Sequence, residues 1–86
     1  MDALTRLAVD ARRLLCPLPV IRLQDQVAQL RHGDQVIIIA TDPGVKLDIP
    51  AWCRVHGHSA SLLDETDGEI RFLVTVEAAP NPPKPT

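Results

Sequence analysis

Leu7, Val9 and Ala11 alternate with Ala8, Asp10 and Arg12, the period-two spacing of a strand that buries one face. After it the period changes. Val20, Leu23, Val27 and Leu30 recur at helical spacing, which predicts a helix from Pro17 to about Arg31. Gly33 is then placed as the left-handed residue past its end, with Arg31 and His32 complementing the helix dipole. Val36-Ile37-Ile38-Ile39-Ala40 is an unbroken run rich in β-branched residues, the pattern of a strand in the interior of its sheet. Thr41-Asp42-Pro43 reads as the cap and first turn of a second helix, whose apolar face carries Val45, Ile49, Trp52, Cys53 and His56. Asp42 and Asp48 are its candidate capping carboxylates. Pro50 interrupts that face, so either the helix kinks there or it begins late, with Asp48 as cap. Gly57 ends it. Ser59 to Glu65 forms a third strand, Thr66-Asp67-Gly68-Glu69 signals a two-residue hairpin, and Ile70, Phe72, Val74 and Val76 alternate along a fourth.

The order βαβαββ predicts an α+β fold, a two-layer α/β sandwich with a four-stranded mixed sheet and both helices on one face. The other face should carry Asp10, Arg71 and Glu77 toward water. Residues 1–78 are read as one domain and residues 79–86, with Asn81-Pro82-Pro83-Lys84-Pro85, as a disordered proline-rich tail. With Trp52 and Phe72 the only aromatic residues, the core must be built from Val, Ile, Leu and Ala.

Charge and composition remove several functions. A net charge of −2 with no run of Lys and Arg argues against a nucleic-acid partner. No apolar stretch approaches the ~18 residues of a membrane span, and the N-terminus lacks the pattern of a signal peptide. A cytoplasmic monomer is expected, and that setting argues against a permanent Cys16–Cys53 disulfide. Two cysteines and three histidines are too few and wrongly spaced for a four-ligand zinc site. Cys53 and His56 would share a helix face, but His58 lies beyond Gly57. No metal and no cofactor are expected. His32 is read as capping the first helix, and His56 and His58 as structural residues flanking Gly57.

The candidate chemistry lies in Cys16-Pro17-Leu18-Pro19. With Cys16 as N-cap, Pro17 falls at N1 and Pro19 at N3, where neither removes a helical hydrogen bond, and Val20 would be the first to donate, to the Cys16 carbonyl. Only Leu18 keeps a nearby backbone N–H for the sulfur, which argues against a phosphate cradle. The helix dipole would lower the thiol pKa and make Cys16 reactive. Cys53, on an apolar helix face, reads as a core cysteine and not as a resolving thiol. Asp10 and Arg12 share a strand face near the motif and can pair there. The bland alternative is a helix start punctuated by prolines with an incidental cysteine.

Asp10-Ala11-Arg12, Leu15-Cys16-Pro17-Leu18-Pro19, Asp42-Pro43, Asp48-Ile49-Pro50, Trp52-Cys53 and Gly57-His58 together resemble the TusA (SirA-like) family, over roughly Leu7 to Val76. The resemblance implies the fold of the C-terminal domain of bacterial translation initiation factor three, and a sulfur carrier that acts stoichiometrically in a relay. Cys16 would accept a sulfane sulfur as a persulfide from a cysteine desulfurase or rhodanese-type donor. It would pass that sulfur to a DsrEFH/TusBCD-like or heterodisulfide-reductase-like acceptor. Such relays feed tRNA wobble-uridine thiolation, molybdenum-cofactor synthesis or cytoplasmic sulfur oxidation. Asp10, Arg12, Arg13, Pro17, Leu18 and Pro19 would dock partners or tune the thiol. Two positions depart from the family pattern: Leu18 stands where tRNA-thiolation members often have Glu, and Arg13 where Gly is common. The alternative is a regulatory or redox-sensing module using Cys16.

Overall fold

The structure, a computed structural model, describes residues 6–77, and the expected tail at 79–86 lies outside them. Six elements follow one another: β1 (Arg6–Ala11), α1 (Leu18–Val27), β2 (Gln35–Ala40), α2 (Val45–His56), β3 (Ser59–Thr66) and β4 (Glu69–Thr75). The sheet order is β1-β2-β4-β3, with β1 parallel to β2 and the other two pairings antiparallel. Parallel neighbours need a crossover, which α1 supplies between β1 and β2. The hairpin then inserts β4 between β2 and β3, so that α2 bridges two strands that do not touch.

Both helices close on one face of the sheet. Val36, Ile38 and Ala40 of β2 lie opposite Val74, Phe72 and Ile70 of β4, all buried. Pro19, Leu23 and Val27 of α1 and Val45, Ile49 and Cys53 of α2 complete this layer. The other face is less polar than its pattern suggested. Ala8, Ile37 and Leu73 fall in register across three strands, and Ile37, Ile39 and Leu73 are half-buried. β2 is therefore interior, as its β-branched run predicts, yet helices cover only one of its faces.

Two turns follow their sequence signals closely. Asp67 (φ 53°) and Gly68 (φ 80°) both adopt the left-handed conformation of a type I′ hairpin. Gly57 (φ 82°) ends α2, and beyond it the His58 N–H donates to the Cys53 carbonyl at 2.8 Å. α2 itself runs unbroken through Pro50, so a late start at Asp48 is excluded. Proline inside a helix costs about 3 kcal/mol. Complete burial of Val45 and Ile49 and near-complete burial of Cys53 on one stripe offset that cost. Along the open edge of the sheet, the pairing of β3 with β4 slips between Leu62 and Asp64, a bulge centred on Leu63.

α1 is shorter than predicted at both ends. It stops at Val27 because Gln29 and Leu30 donate three residues back, to Gln26 and Val27, tightening the last turn. Gly33 is left-handed (φ 96°) but serves the turn into β2, where the Asp34 N–H donates to Arg31 and the Gly33 N–H to Val76. Arg31 and His32 accordingly lie outside the helix. His32 does not cap it. Its Nδ1 meets the Glu77 carbonyl.

Candidate functional site

The start of α1 differs from the expected geometry in a way that moves Cys16. The Leu18 N–H donates to the Leu15 carbonyl at 2.9 Å, closing a turn across Cys16 and Pro17, whose peptide bond is cis. That turn consumes the first position of the expected helix. Pro17 becomes the N-cap, α1 begins at Leu18, and Val20 and Ile21 both donate to the Pro17 carbonyl. Leu18 has no N–H left for the sulfur. Cys16 is not the cap of α1.

Cys16 is seated against α2 instead. Its backbone N–H donates to Asp42 Oδ2 at 2.8 Å, and the Gly44 N–H donates to Asp42 Oδ1 at 2.9 Å. One carboxylate thus ties the β1–α1 loop to the entry of α2. Gly44 is the N-cap of α2 in ordinary right-handed conformation (φ −58°), so no positive φ demands glycine there. A Cβ at this position would lie 3.2 Å from Cys16 Sγ and 3.4 Å from Asp42 Oδ1. The sulfur occupies the room a side chain would need.

The N–H groups opening α2 are already engaged. Val45 donates to the Asp42 carbonyl, Lys46 to that of Pro43, and Leu47 and Asp48 to that of Gly44. No free helix terminus faces the thiol. What faces it is negative: burial first, then the hydrogen bond with Asp48 and the charges of Asp42 and Asp48, push the Cys16 thiol up to about 12. The lowered pKa expected from a helix dipole is overturned. Asp42 and Asp48 act on the sulfur as well as on the helix, and the α2 cap makes no side-chain cap bond.

The other residues singled out in the sequence fall on two sides of the thiol. Arg12 holds Asp10 in a two-pronged pair (2.9 and 3.0 Å) and reaches Glu69 at 3.3 Å, and Arg71 links Glu69 to Asp64. The Arg12 hydrogen bonds hold the Asp10 carboxyl down at about 2. These charges serve one another and not Cys16. Asp10, Arg12 and Glu69 line, with Arg13, Thr41 and Asp67, a polar cleft of about 540 Å³ that does not include the thiol. On the other side Leu18 is 49% exposed and shares a shallow groove with Leu14 and Ile21, while Leu15 is 71% exposed. Pro19 is buried on the inner face of α1 and Pro17 is exposed. Apolar surface therefore flanks the sulfur in sequence on both sides.

Arg13 adopts φ 68°, with its N–H on Thr41 Oγ1 at 2.9 Å. A left-handed residue with a Cβ is strained by about 1–2 kcal/mol, the physical reason glycine suits this position. Arg13→Gly should recover part of this after the entropy cost of glycine, a net gain of about 0.5 kcal/mol. Thermal unfolding should then show a midpoint raised by about 3 °C. Arg13→Ala, which keeps the strain, should show no such rise.

Cys53 is 1% exposed, and burial pushes its thiol up to about 11. It lies nine residues beyond Gly44, about 13 Å along the helix axis at 1.5 Å per residue. A disulfide needs α-carbons within about 7 Å, so Cys53 cannot bridge to Cys16. Beside it, Trp52 stacks on His56 (4.5 Å between centroids) and lies 5.5 Å from His58. His58 Nδ1 accepts the Glu77 N–H, and burial followed by His56 lowers its pKa. Among the described residues no three His, Cys, Asp or Glu side chains are grouped to hold a metal ion, and no helix is long and apolar enough to cross a membrane. Gly44 is the site residue that the sequence reading missed. Its signal was the Asp42-Pro43-Gly44 turn, in which an aspartate accepts the N–H two residues on.

Fold and site together define a small α+β domain with one accessible thiol held between carboxylates. The crystal structure of the SirA-like protein from Desulfitobacterium hafniense has this fold, with a TM-score of 0.75 at 22% identity, covering 84% of this chain and 99% of that one. A Neisseria meningitidis protein is 38% identical over 66 residues, 77% of this chain and 89% of its own. The Bacillus subtilis protein YrkI is 40% identical over 63 residues, 72% of this chain and 81% of its own. Both bear the name "Putative sulfur carrier protein". The family model described as sulfurtransferase TusA matches residues 8–76, and the chain belongs to that family. Its role is that of a sulfur carrier, which implies a sulfur donor and a sulfur acceptor as partners.

Proposed function

We propose that Cys16 is the atom that carries the sulfur, as a persulfide, between a donor protein and an acceptor protein. The observation that supports this best is a half-exposed thiol on a fixed seat, with the second cysteine buried about 13 Å away along α2. A second thiol beside a persulfide would attack Sγ, form a disulfide between the two cysteines and expel the carried sulfur as hydrosulfide. Here no such thiol is in reach.

In the loading step, Cys16 Sγ attacks the outer sulfur of the donor cysteine persulfide. The new Sγ–S bond forms as the donor S–S bond breaks, the donor cysteine leaves as a thiolate, and the Cys16 proton ends on it. Electrons balance without an external oxidant. In the second step the acceptor cysteine attacks the carried sulfur, and Cys16 leaves. Donors are of the cysteine desulfurase or rhodanese type, and acceptors are the cysteine proteins of a cytoplasmic relay in tRNA thiolation or sulfur oxidation. Leu15, Leu18 and Ile21 form the apolar surface on which these partners dock, and Arg13 adds a cation on the polar side of the thiol. A redox sensor would instead form a sulfenic acid or a disulfide with a resolving thiol.

Incubation with a cysteine desulfurase and cysteine, or with a rhodanese and thiosulfate, tests this by intact mass. The protein should gain the mass of one sulfur atom, reversibly by reductant. Cys16→Ser should lose the adduct entirely and Cys53→Ser should keep it. Loading that survives in Cys16→Ser, or no loading from either donor, would refute the assignment.

A further inference from the structure

The sulfur of Cys16 sits at the entry of α2, and two residues make that possible: Asp42, 26 residues further along the chain, and Gly44. Asp42 spends both carboxylate oxygens on backbone N–H groups, one from Cys16 at 2.8 Å and one from Gly44 at 2.9 Å. The two bonds fix the loop and the helix entry to a single rigid group. Gly44 then leaves the space, since a Cβ there would approach Sγ to 3.2 Å. Glycine is not needed at this position for its backbone conformation, because φ is −58°. Its service is room for sulfur.

We infer that Asp42 and Gly44 are positioning residues for sulfur transfer at Cys16: Asp42 aims the sulfur and Gly44 keeps its flank open. The inference rests on the persulfide reading above. Asparagine does not replace Asp42, because the two N–H groups reach two different oxygens and the amide places an NH2 donor where one of those oxygens stands. Losing one bond frees the loop from the helix. Displacing a reacting atom by about 1 Å costs up to about a hundredfold in rate. A small electrophile that diffuses to the sulfur from any side does not need that aim.

The two kinds of reaction should therefore move in opposite directions. In the Asp42→Asn chain, alkylation of Cys16 by iodoacetamide at pH 8 should rise about tenfold, since a negative charge beside the sulfur is gone. The maximal rate of persulfide loading from a cysteine desulfurase should fall about tenfold to a hundredfold, with the donor concentration at half-maximum little changed. Asp42→Glu, which keeps charge and both acceptors, should restore part of the loading. Gly44→Ala should stay folded with a modestly lower unfolding midpoint, since alanine is a poorer N-cap than glycine, while its loading falls.

A merely structural Asp42 would lower both rates together with thermal stability, and that result overturns the inference. Loading that rises in step with alkylation also overturns it, because Asp42 would then only hold the thiol protonated. If wild-type protein accepts no sulfur from the donor, the persulfide reading fails instead. The positioning inference falls with that reading, whereas wild-type loading that is matched by Asp42→Asn and Gly44→Ala overturns the positioning inference alone.

Discussion

Alkylation of Cys16 by iodoacetamide is expected to be slow at pH 7 and to climb about tenfold with each pH unit to near pH 12. Only the thiolate reacts. Burial, then Asp48 and Asp42, push this thiol up to about 12 from its ordinary value of 9.0. That shift makes the thiolate about a thousandfold scarcer at pH 7 than in an unfolded chain. The same protein in denaturant should therefore react about a thousandfold faster at equal pH. Asp48→Asn removes one of the opposing carboxylates and should speed the native reaction at pH 8 by about tenfold. The linkage has a definite sign. Above pH 9 the unfolded thiol loses its proton while the folded one keeps it, so Cys16 weakens the fold as pH rises from 9 toward 12. Denaturant titrations at pH 8 and pH 10 should show this loss in wild-type protein and a smaller one in Cys16→Ser. An alkylation midpoint at or below pH 9 would contradict the whole electrostatic description.

Ile49→Ala should be the most damaging apolar truncation in α2. Ile49 is fully buried between Val45 and Cys53 on the stripe facing the sheet. Truncations of this kind cost about 2–5 kcal/mol. A domain of this size has a stability of about 4–10 kcal/mol. A loss near 3 kcal/mol should lower the thermal midpoint by about 12–24 °C. Urea unfolding followed by Trp52 fluorescence, the single tryptophan, gives the measurement. α2 is especially exposed to this change because Pro50 already weakens it from within. Leu47→Ala on the same helix, at a side chain 78% exposed, should shift stability by no more than about 0.5 kcal/mol. Equal losses in the two variants would mean that the buried stripe does not hold the helix.

Periodicity carried most of the fold. The strands, the type I′ turn at Asp67-Gly68 and the left-handed stop at Gly57 all obey local rules, and local rules are visible in a string of residues. The end of α1 was overread because Leu30 continues the apolar spacing, yet its N–H bonds to Val27 in a tightened turn. Pro50 left two versions of α2 open, since local propensity opposes the helix and only burial of Val45, Ile49 and Cys53 decides for it. The thiol marks the deeper limit. Cys16 is adjacent to α1 in sequence, so a local argument assigned it the dipole of α1. Its actual surroundings, Asp42, Gly44 and Asp48, belong to the next helix. A carboxylate that reads as a cap in the sequence becomes, once the chain is folded, the charge that keeps a thiol protonated. The sign of the pKa shift reversed for that reason.

The bulge at Leu63 bears on how the edge of the sheet would meet another strand. β3 is an edge strand with Leu62 and Leu63 about half exposed, an invitation to another strand. The slip in register breaks its hydrogen-bonding rim in the middle, and Asp64 and Glu65 follow at once with negative charge. An incoming strand could match only a few residues before meeting a kink and two carboxylates. Among the described residues no element covers this edge, and the kink with its two carboxylates is what resists templated β-aggregation there.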